Sequence, residues 1–261
     1  MSTIVSFHAH PDDESILCGG TLAKAAKEGH RVVLVTATRG EHGEVPAGFL
    51  SAGETLGQRR EIELRAAARI LGVNRVEFLG YVDSGMRDEP TNSAPGAFWG
   101  ADIEEAAERL AKVLLQEDAD VLTVYDSNGA YGHPDHIQVH QVGVRAARIA
   151  RTPFLFEATL NREHVIALRD SQPEDQPAPP DIGDEIGLPA TRITTTVDVT
   201  NFLETKRSAM AAHRSQMSDE SFFLSMPPEQ FRVAFGTEWF RQLPTDFGGR
   251  SRSENLLSDD G

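Results

Sequence analysis

The chain has 261 residues, 39% hydrophobic and 25% charged, which allows one large domain or two small ones with a core that needs no staples. Asp and Glu number 40 against 25 Lys and Arg, and the formal net charge of −15 argues against a nucleic-acid backbone or an anionic membrane as partner. The single cysteine, Cys18, excludes an internal disulfide framework, and no leader-like or membrane-length apolar stretch is read, so the expected compartment is the cytoplasm.

Four runs, Thr3–Ala9, Arg31–Thr38, Arg75–Gly80 and Asp120–Tyr125, are rich in β-branched residues and nearly continuous in hydrophobicity. Strands buried on both faces of a parallel sheet read this way. Between them, helical spacing links Leu64, Ala67, Ala68 and Leu71, then Ile103, Ala106, Ala107, Leu110, Val113 and Leu114. Gly29 and Gly72 stand where left-handed helix caps are wanted. The alternation predicts an α/β fold: a Rossmann-like, open, mostly parallel sheet with helices on both faces and an elaborated C-terminal part. Phe154–Leu160 and Thr194–Val199 read as fifth and sixth strands, and Thr200 as the cap of a helix running to His213. Gln172–Asp184 reads as a Pro-rich acidic surface loop. The simplest organisation is a single domain over 1–247 and a flexible tail over 248–261.

Two segments carry chemistry, and each follows a predicted strand. His8-Ala9-His10-Pro11-Asp12-Asp13-Glu14 leaves the first, and Tyr131-Gly132-His133-Pro134-Asp135-His136 follows the fourth. Ligands of open α/β sheets sit beyond the carboxyl ends of the strands, where strand order reverses, so the two clusters can converge. Imidazole and carboxylate are the usual zinc ligands when sulfur is absent, and a catalytic site takes three of them and keeps one position open. Of the adjacent Asp12 and Asp13, one can bind metal while the other faces the open position as a base for amide or ester hydrolysis. The plain alternative is helix capping by the acidic triplet. Capping explains neither the histidines nor the repeated His-Pro-Asp.

These motifs resemble the PIG-L/LmbE-like zinc-dependent de-N-acetylases, a family that includes GlcNAc-phosphatidylinositol, mycothiol-pathway and bacillithiol-pathway deacetylases. The likeness extends through Thr38-Arg39-Gly40-Glu41, Arg60-Glu61-Ile62-Glu63-Leu64, Leu71-Gly72-Val73 and Asp83-Ser84-Gly85-Met86. Further along, only Lys206 and Ala212-His213-Arg214-Ser215-Gln216 match. The resemblance implies His10, Asp13 and His136 as metal ligands and Asp12 as general base. It implies His133 as electrophile for the oxyanion, with Asp135 orienting and charging its ring, and Tyr131 as a mobile group reaching the substrate carbonyl. The implied cofactor is Zn²⁺, with Fe²⁺ or Co²⁺ also suited to a His₂Asp site. The implied reaction removes an acetyl group from the amine of a small N-acetylated substrate, of N-acetylglucosamine type. A mycothiol-conjugate amidase and a non-catalytic metal-containing sugar-binding protein are the alternatives. Oligomeric state stays open.

Arg39, Glu41, Arg60 and Asp83 are substrate-binding candidates; the two arginines and Asp83 could equally be structural ion-pair members. His42 and Glu44 lie in a loop suited to setting specificity. His140, four residues after His136, offers an alternative helical metal pair. His8 reads as a buried polar group, Cys18 as a core filler and Trp99 as a loop aromatic; His213 is open. No GxGxxG, P-loop, HExxH, GxSxG or PCxxC pattern occurs.

Overall fold

The computed structural model describes residues 1–170 and 186–245. Five strands, β1 (Thr3–His8), β2 (Arg31–Thr36), β3 (Arg75–Phe78), β4 (Val121–Tyr125) and β5 (Phe154–Thr159), pair in parallel. β6 (Thr195–Asp198) and β7 (Thr237–Leu243) complete one sheet of order β3-β2-β1-β4-β5-β7-β6. β7 runs antiparallel to both β5 and β6. The expected α/β architecture is present, with β7 as an added strand. The loop expected over Gln172–Asp184 and the tail from Gly248 lie outside the described residues.

The helices are α1 (Asp13–Leu17), α2 (Gly19–Lys27), α3 (Leu56–Leu71), α4 (Ile103–Gln116), the single turn α5 (Gly129–Gly132) and α6 (Pro134–Ala150). Then come α7 (Arg162–Asp170), α8 (Leu203–Ala212), the short α9 (Phe222–Ser225) and α10 (Pro228–Phe235). The helix expected from Thr200 starts as a 3-10 turn over Thr200–Phe202, and His213 follows its last turn.

Alternation along the strands feeds two cores. Val5, Val33, Leu122 and Val124 pack against Leu110 of α4 and Val139 and Val142 of α6. Ile4, Val32, Val121 and Phe156 face the other way, onto Leu22 of α2, Leu71 of α3 and Ala209 of α8. Each such side chain fully withdrawn from water contributes about 1.5–3 kcal/mol. α3 begins with a capping box: Thr55 Oγ1 accepts from Gln58 N–H (3.3 Å) and Gln58 Oε1 from Thr55 N–H (2.9 Å). The chain winds outward from β1 through β2 to β3, then returns to place β4 on the other side of β1. Strand order therefore reverses between β1 and β4, and a crevice opens beyond their carboxyl ends at His8 and Tyr125. No helix among the described residues is long and apolar enough to cross a membrane.

Candidate active site

Both motifs open into that crevice. Beyond β1, Asp13 Oδ2 accepts the His10 backbone N–H at 2.9 Å and so closes the turn between the two side chains. Asp12 lies between them with φ at 102°, a region that L-residues rarely adopt. It occupies the position before α1, yet its side chain caps no helix N–H, so capping is not how this carboxylate is used. Arg60, buried on α3, donates to Asp12 Oδ1 at 3.2 Å, while 17% of the Asp12 side chain stays open.

Beyond β4, Asp126 Oδ1 accepts the N–H groups of Asn128 (3.0 Å) and Ala130 (3.1 Å), which folds the chain into a tight turn. Gly129 sits there at φ 65°, where a Cβ would fall 2.6 Å from His136 Cβ, so only glycine fits. His133 precedes α6, and Pro134 supplies the first helical residue. His136 is thereby set in the first turn, its ring stacked on Tyr125 with centroids 4.3 Å apart. Tyr125 OH in turn bonds His8 Nδ1 (3.1 Å), and His8 Nε2 bonds Ser6 Oγ (2.8 Å). His8 is thus a buried support, its pKa pushed down to about 4 chiefly by burial.

Asp13 Oδ2 lies 3.4 Å from His10 Nδ1 and 3.4 Å from His136 Nε2. A tetrahedral ion with bonds of about 2.0–2.2 Å has donor-to-donor edges of roughly 3.3–3.6 Å, and the two Asp13 edges have that length. Both ring nitrogens of His136 are buried without a hydrogen-bond partner among the described residues, as a nitrogen reserved for a cation would be. The other nitrogen of His10, Nε2, faces Asp135 Oδ2 (3.2 Å) and Asp83 Oδ1 (3.3 Å). Anchoring the far nitrogen on a carboxylate is how a ligating imidazole is oriented. Two further triads, His10 with His133 and His136 and His10 with Asp83 and Asp135, also bring buried donor atoms within 4.8 Å of one another.

Electrostatics separates the roles. Burial lifts the Asp12 carboxyl to about 6 even though Arg60 pulls the other way. Asp13 is held well below the usual carboxylate range: burial opposes this, and His136 and His10 overcome it. His133 is pushed down to about 3, by burial first and then by His10 and His136. Asp135 is among the groups that raise its pKa, and burial, His10 and His136 outweigh that. Asp135 Oδ2 takes His10 and Ser84 N–H (2.9 Å), Asp135 Oδ1 has no hydrogen-bond partner among the described residues, and the Asp135 backbone N–H reaches His133 at Nδ1 (3.1 Å). An Nδ1 that accepts leaves the proton of a neutral ring on Nε2, so His133 is a neutral donor. Tyr131, 38% exposed, stands at the mouth with its ring 6.2 Å from that of His133, and burial of its hydroxyl raises its pKa.

The four substrate-binding candidates all make contacts with the protein. Arg60 donates to Gly40 O (2.9 Å) and Pro11 O (2.6 Å) as well as to Asp12, so it braces the Asp12 loop rather than reaching outward. A Cβ on Gly40, at φ 66°, would meet the Arg60 Cζ at 2.3 Å. Arg39 pairs with Glu61 (2.8 Å) and lies over the Phe78 ring at 4.6 Å. Glu41 Oε2 accepts Asp83 N–H at 3.0 Å, and Asp83 Oδ2 accepts His42 N–H at 3.1 Å, binding the two loops together beside His10. His140 points elsewhere: its Nδ1 lies 3.1 Å from Tyr125 O and 3.4 Å from Glu157 Oε1, so the helical His136/His140 pair does not form. Tyr125 was not singled out from sequence, because nothing local marks a strand tyrosine as part of a site; Glu14 and Ser84 fell inside the matched motifs but were given no role of their own.

A basic carboxylate beside three metal-type donors is the equipment of a hydrolase, and the chain belongs to that class. More narrowly, it belongs to the PIG-L family: the family profile described as GlcNAc-PI de-N-acetylase matches residues 5–147. Over 260 residues the chain is 45% identical to a Nocardiopsis dassonvillei protein named 1D-myo-inositol 2-acetamido-2-deoxy-alpha-D-glucopyranoside deacetylase, covering 90% of this chain and 92% of that one. A Thermomonospora curvata protein of the same name is 40% identical over 92% of this chain and 90% of its own length. Among solved structures, the N,N'-diacetylchitobiose deacetylase of Pyrococcus horikoshii superposes with a TM-score of 0.64 at 22% identity, over 93% of this chain and 84% of that one, and shares the fold.

Proposed function

We propose that this enzyme hydrolyses the acetamide of an N-acetylglucosamine-type conjugate, with the 2-acetamido-glucopyranoside of myo-inositol as the substrate to test first. The observation that carries the reading is Asp13 Oδ2 held 3.4 Å from a ring nitrogen of both His10 and His136, with Asp12 beside it, at the β1/β4 crevice. The inositol conjugate is favoured by the naming of relatives that are 40% and 45% identical over about nine-tenths of the chain. We assign Zn²⁺ to His10, Asp13 and His136, with Fe²⁺ or Co²⁺ as substitutes. When bound, such an ion supplies Lewis-acid polarisation of the acyl carbonyl.

The chain's own groups do the rest. Asp12, basic enough at neutral pH to accept a proton, removes one from the attacking water. His133 Nε2–H donates to the oxygen that becomes negative as the tetrahedral carbon forms, and Tyr131 closes over the same side. The proton taken by Asp12 then passes to the departing nitrogen, so the C–N bond breaks to amine and acetate. Arg60 keeps Asp12 aimed throughout. Asp83, buried with both carboxylate oxygens engaged, and Glu41 brace the loop junction beside His10, and Arg39 and Arg60 shape that wall from behind.

Acetate release is to be measured from N-acetylglucosaminyl inositol, N-acetylglucosamine, N-acetylglucosaminyl malate and a mycothiol S-conjugate, on metal-analysed protein with Asp12→Ala beside it. Release from the inositol conjugate, lost in the variant and after chelation, is the expected result. Cysteinyl-amide cleavage of the S-conjugate without acetate release would replace deacetylation by amidase chemistry. Full turnover by Asp12→Ala would overturn the role given to Asp12.

A further inference from the structure

The C-terminal part of the chain reaches the crevice at one point. His213, directly after α8, donates from Nε2 to Glu14 Oε1 at 2.8 Å, and neither residue has measurable exposure. Glu14 Oε2 accepts the backbone N–H of Asp12 at 2.9 Å. We propose that Glu14 and His213 are a positioning pair for the general base: they fix the Asp12 peptide so that its carboxylate meets the attacking water. The inference rests on Asp12 being the base.

Three observations lead there. First, Asp12 holds φ at 102°, a conformation that persists only where the surroundings impose it. Its N–H is bonded by the Glu14 side chain, two residues on, rather than by a helix ladder. Second, Glu14 needs an external anchor to impose anything. Its other oxygen is gripped by His213 and by Ser15 Oγ, inside a core that holds His213 at 0% exposure. Third, the anchor itself is braced. Ser215 donates to Glu63 from both N–H (2.9 Å) and Oγ (2.6 Å), and Glu63 lies one helical turn beyond Arg60, which holds the Asp12 carboxylate. The peptide of Asp12 is thus fixed from α8 and its carboxylate from α3, and the Ser215–Glu63 bonds tie those two supports together. A displacement of about 1 Å in a reacting group can cost 10²-fold in rate, so a frame of this kind bears on turnover rather than on affinity.

The test uses the full-length metal-loaded enzyme with N-acetylglucosaminyl inositol and the variants His213→Ala, His213→Gln, Asp12→Ala and Asp12→Ala/His213→Ala. The glutamine amide nitrogen lies close to the place of Nε2 and can donate to Glu14, so His213→Gln should keep most of kcat. His213→Ala should lower kcat by about 10–100-fold with KM and bound metal unchanged. The double variant should be no slower than Asp12→Ala alone, because His213 acts through Asp12. A general structural role would instead lower activity in both backgrounds alike, and that result would overturn the proposal. So would full kcat in His213→Ala while Asp12→Ala is inactive. Should His213→Ala fail to fold, His213→Asn, whose shorter side chain falls short of Glu14, is compared with His213→Gln, and equal kcat in the two overturns the proposal. Activity retained in Asp12→Ala would instead remove the base assignment itself.

Discussion

Asp135 Oδ2 lies 3.2 Å from His10 Nε2, so the carboxylate of the second motif orients the imidazole of the first, across 125 residues of chain. The neighbouring His133 receives only the Asp135 backbone N–H. Asp135→Asn should therefore weaken metal retention by about 10–100-fold, the usual cost of losing a carboxylate behind a ligating histidine. Competition against a chromophoric chelator measures it. Unchanged metal affinity with a turnover defect alone would instead return Asp135 to a role through His133.

Removal of the metal should lower thermal stability. Asp13 lies 3.4 Å from both His10 and His136 in a buried crevice, and an ion bound there favours only the folded chain. Free ion at about 100 times its Kd is worth ~2.7 kcal/mol of folding free energy. Chelation is expected to lower the unfolding temperature and one equivalent of Zn²⁺ to restore it, while Asp13→Ala should show no response to either. A zinc-dependent rise that persists in Asp13→Ala would place the ion at another of the donor triads.

What was legible in the sequence followed from local pattern. β1, β2 and β4 are buried on both faces and carry runs of apolar and β-branched residues, and the motifs that follow β1 and β4 could be placed at one sheet edge. β7 was not legible. Its sequence, TEWFRQL, carries Glu238, buried against Lys206, and the partly buried Arg241, paired with Glu157, and both partners come from elsewhere in the chain. The contact of Asp135 with His10 was not legible for a related reason. Residues two apart at a helix start point in different directions, and which of two imidazoles a carboxylate meets is decided by the β1 loop rather than by sequence distance. The Glu14–His213 pair, 199 residues apart, has no local signature at all.

Glu117 supplies a pH-dependent element of stability away from the crevice. Its carboxylate, at the end of α4, takes Arg31 Nε at 2.5 Å and Arg75 Nη1 at 2.9 Å, clamping the starts of β2 and β3. Arg31 first, and Arg75 after it, hold its pKa below the ordinary 4.5, with burial opposing. A depressed folded value contributes stability that is present above 4.5 and is lost as pH falls through the folded value. Because both arginines are partly exposed, Glu117→Gln should cost no more than about 1 kcal/mol at neutral pH. Urea unfolding should show that difference vanish in acid; a gap that persists there would mean packing, not charge, was lost.

Lys206 and Glu238 make the opposite case, a pair withdrawn almost completely from solvent. Their atoms meet at 2.5 Å with side chains 1% and 2% exposed, and Glu238 also accepts Gly20 N–H (2.8 Å) and Thr21 N–H (2.7 Å). The pair thus joins β7, α8 and the start of α2, and it anchors the helix that ends at His213. Lys206→Met leaves a buried carboxylate without its cation and should cost about 3–5 kcal/mol. Combining it with Glu238→Gln removes the stranded charge while keeping an oxygen for one of the two N–H groups. The double variant should therefore unfold at a higher urea concentration than Lys206→Met alone. An order reversed, with Glu238→Gln adding its own full loss, would show that the two backbone N–H groups, not the ammonium, are what this carboxylate is there to hold.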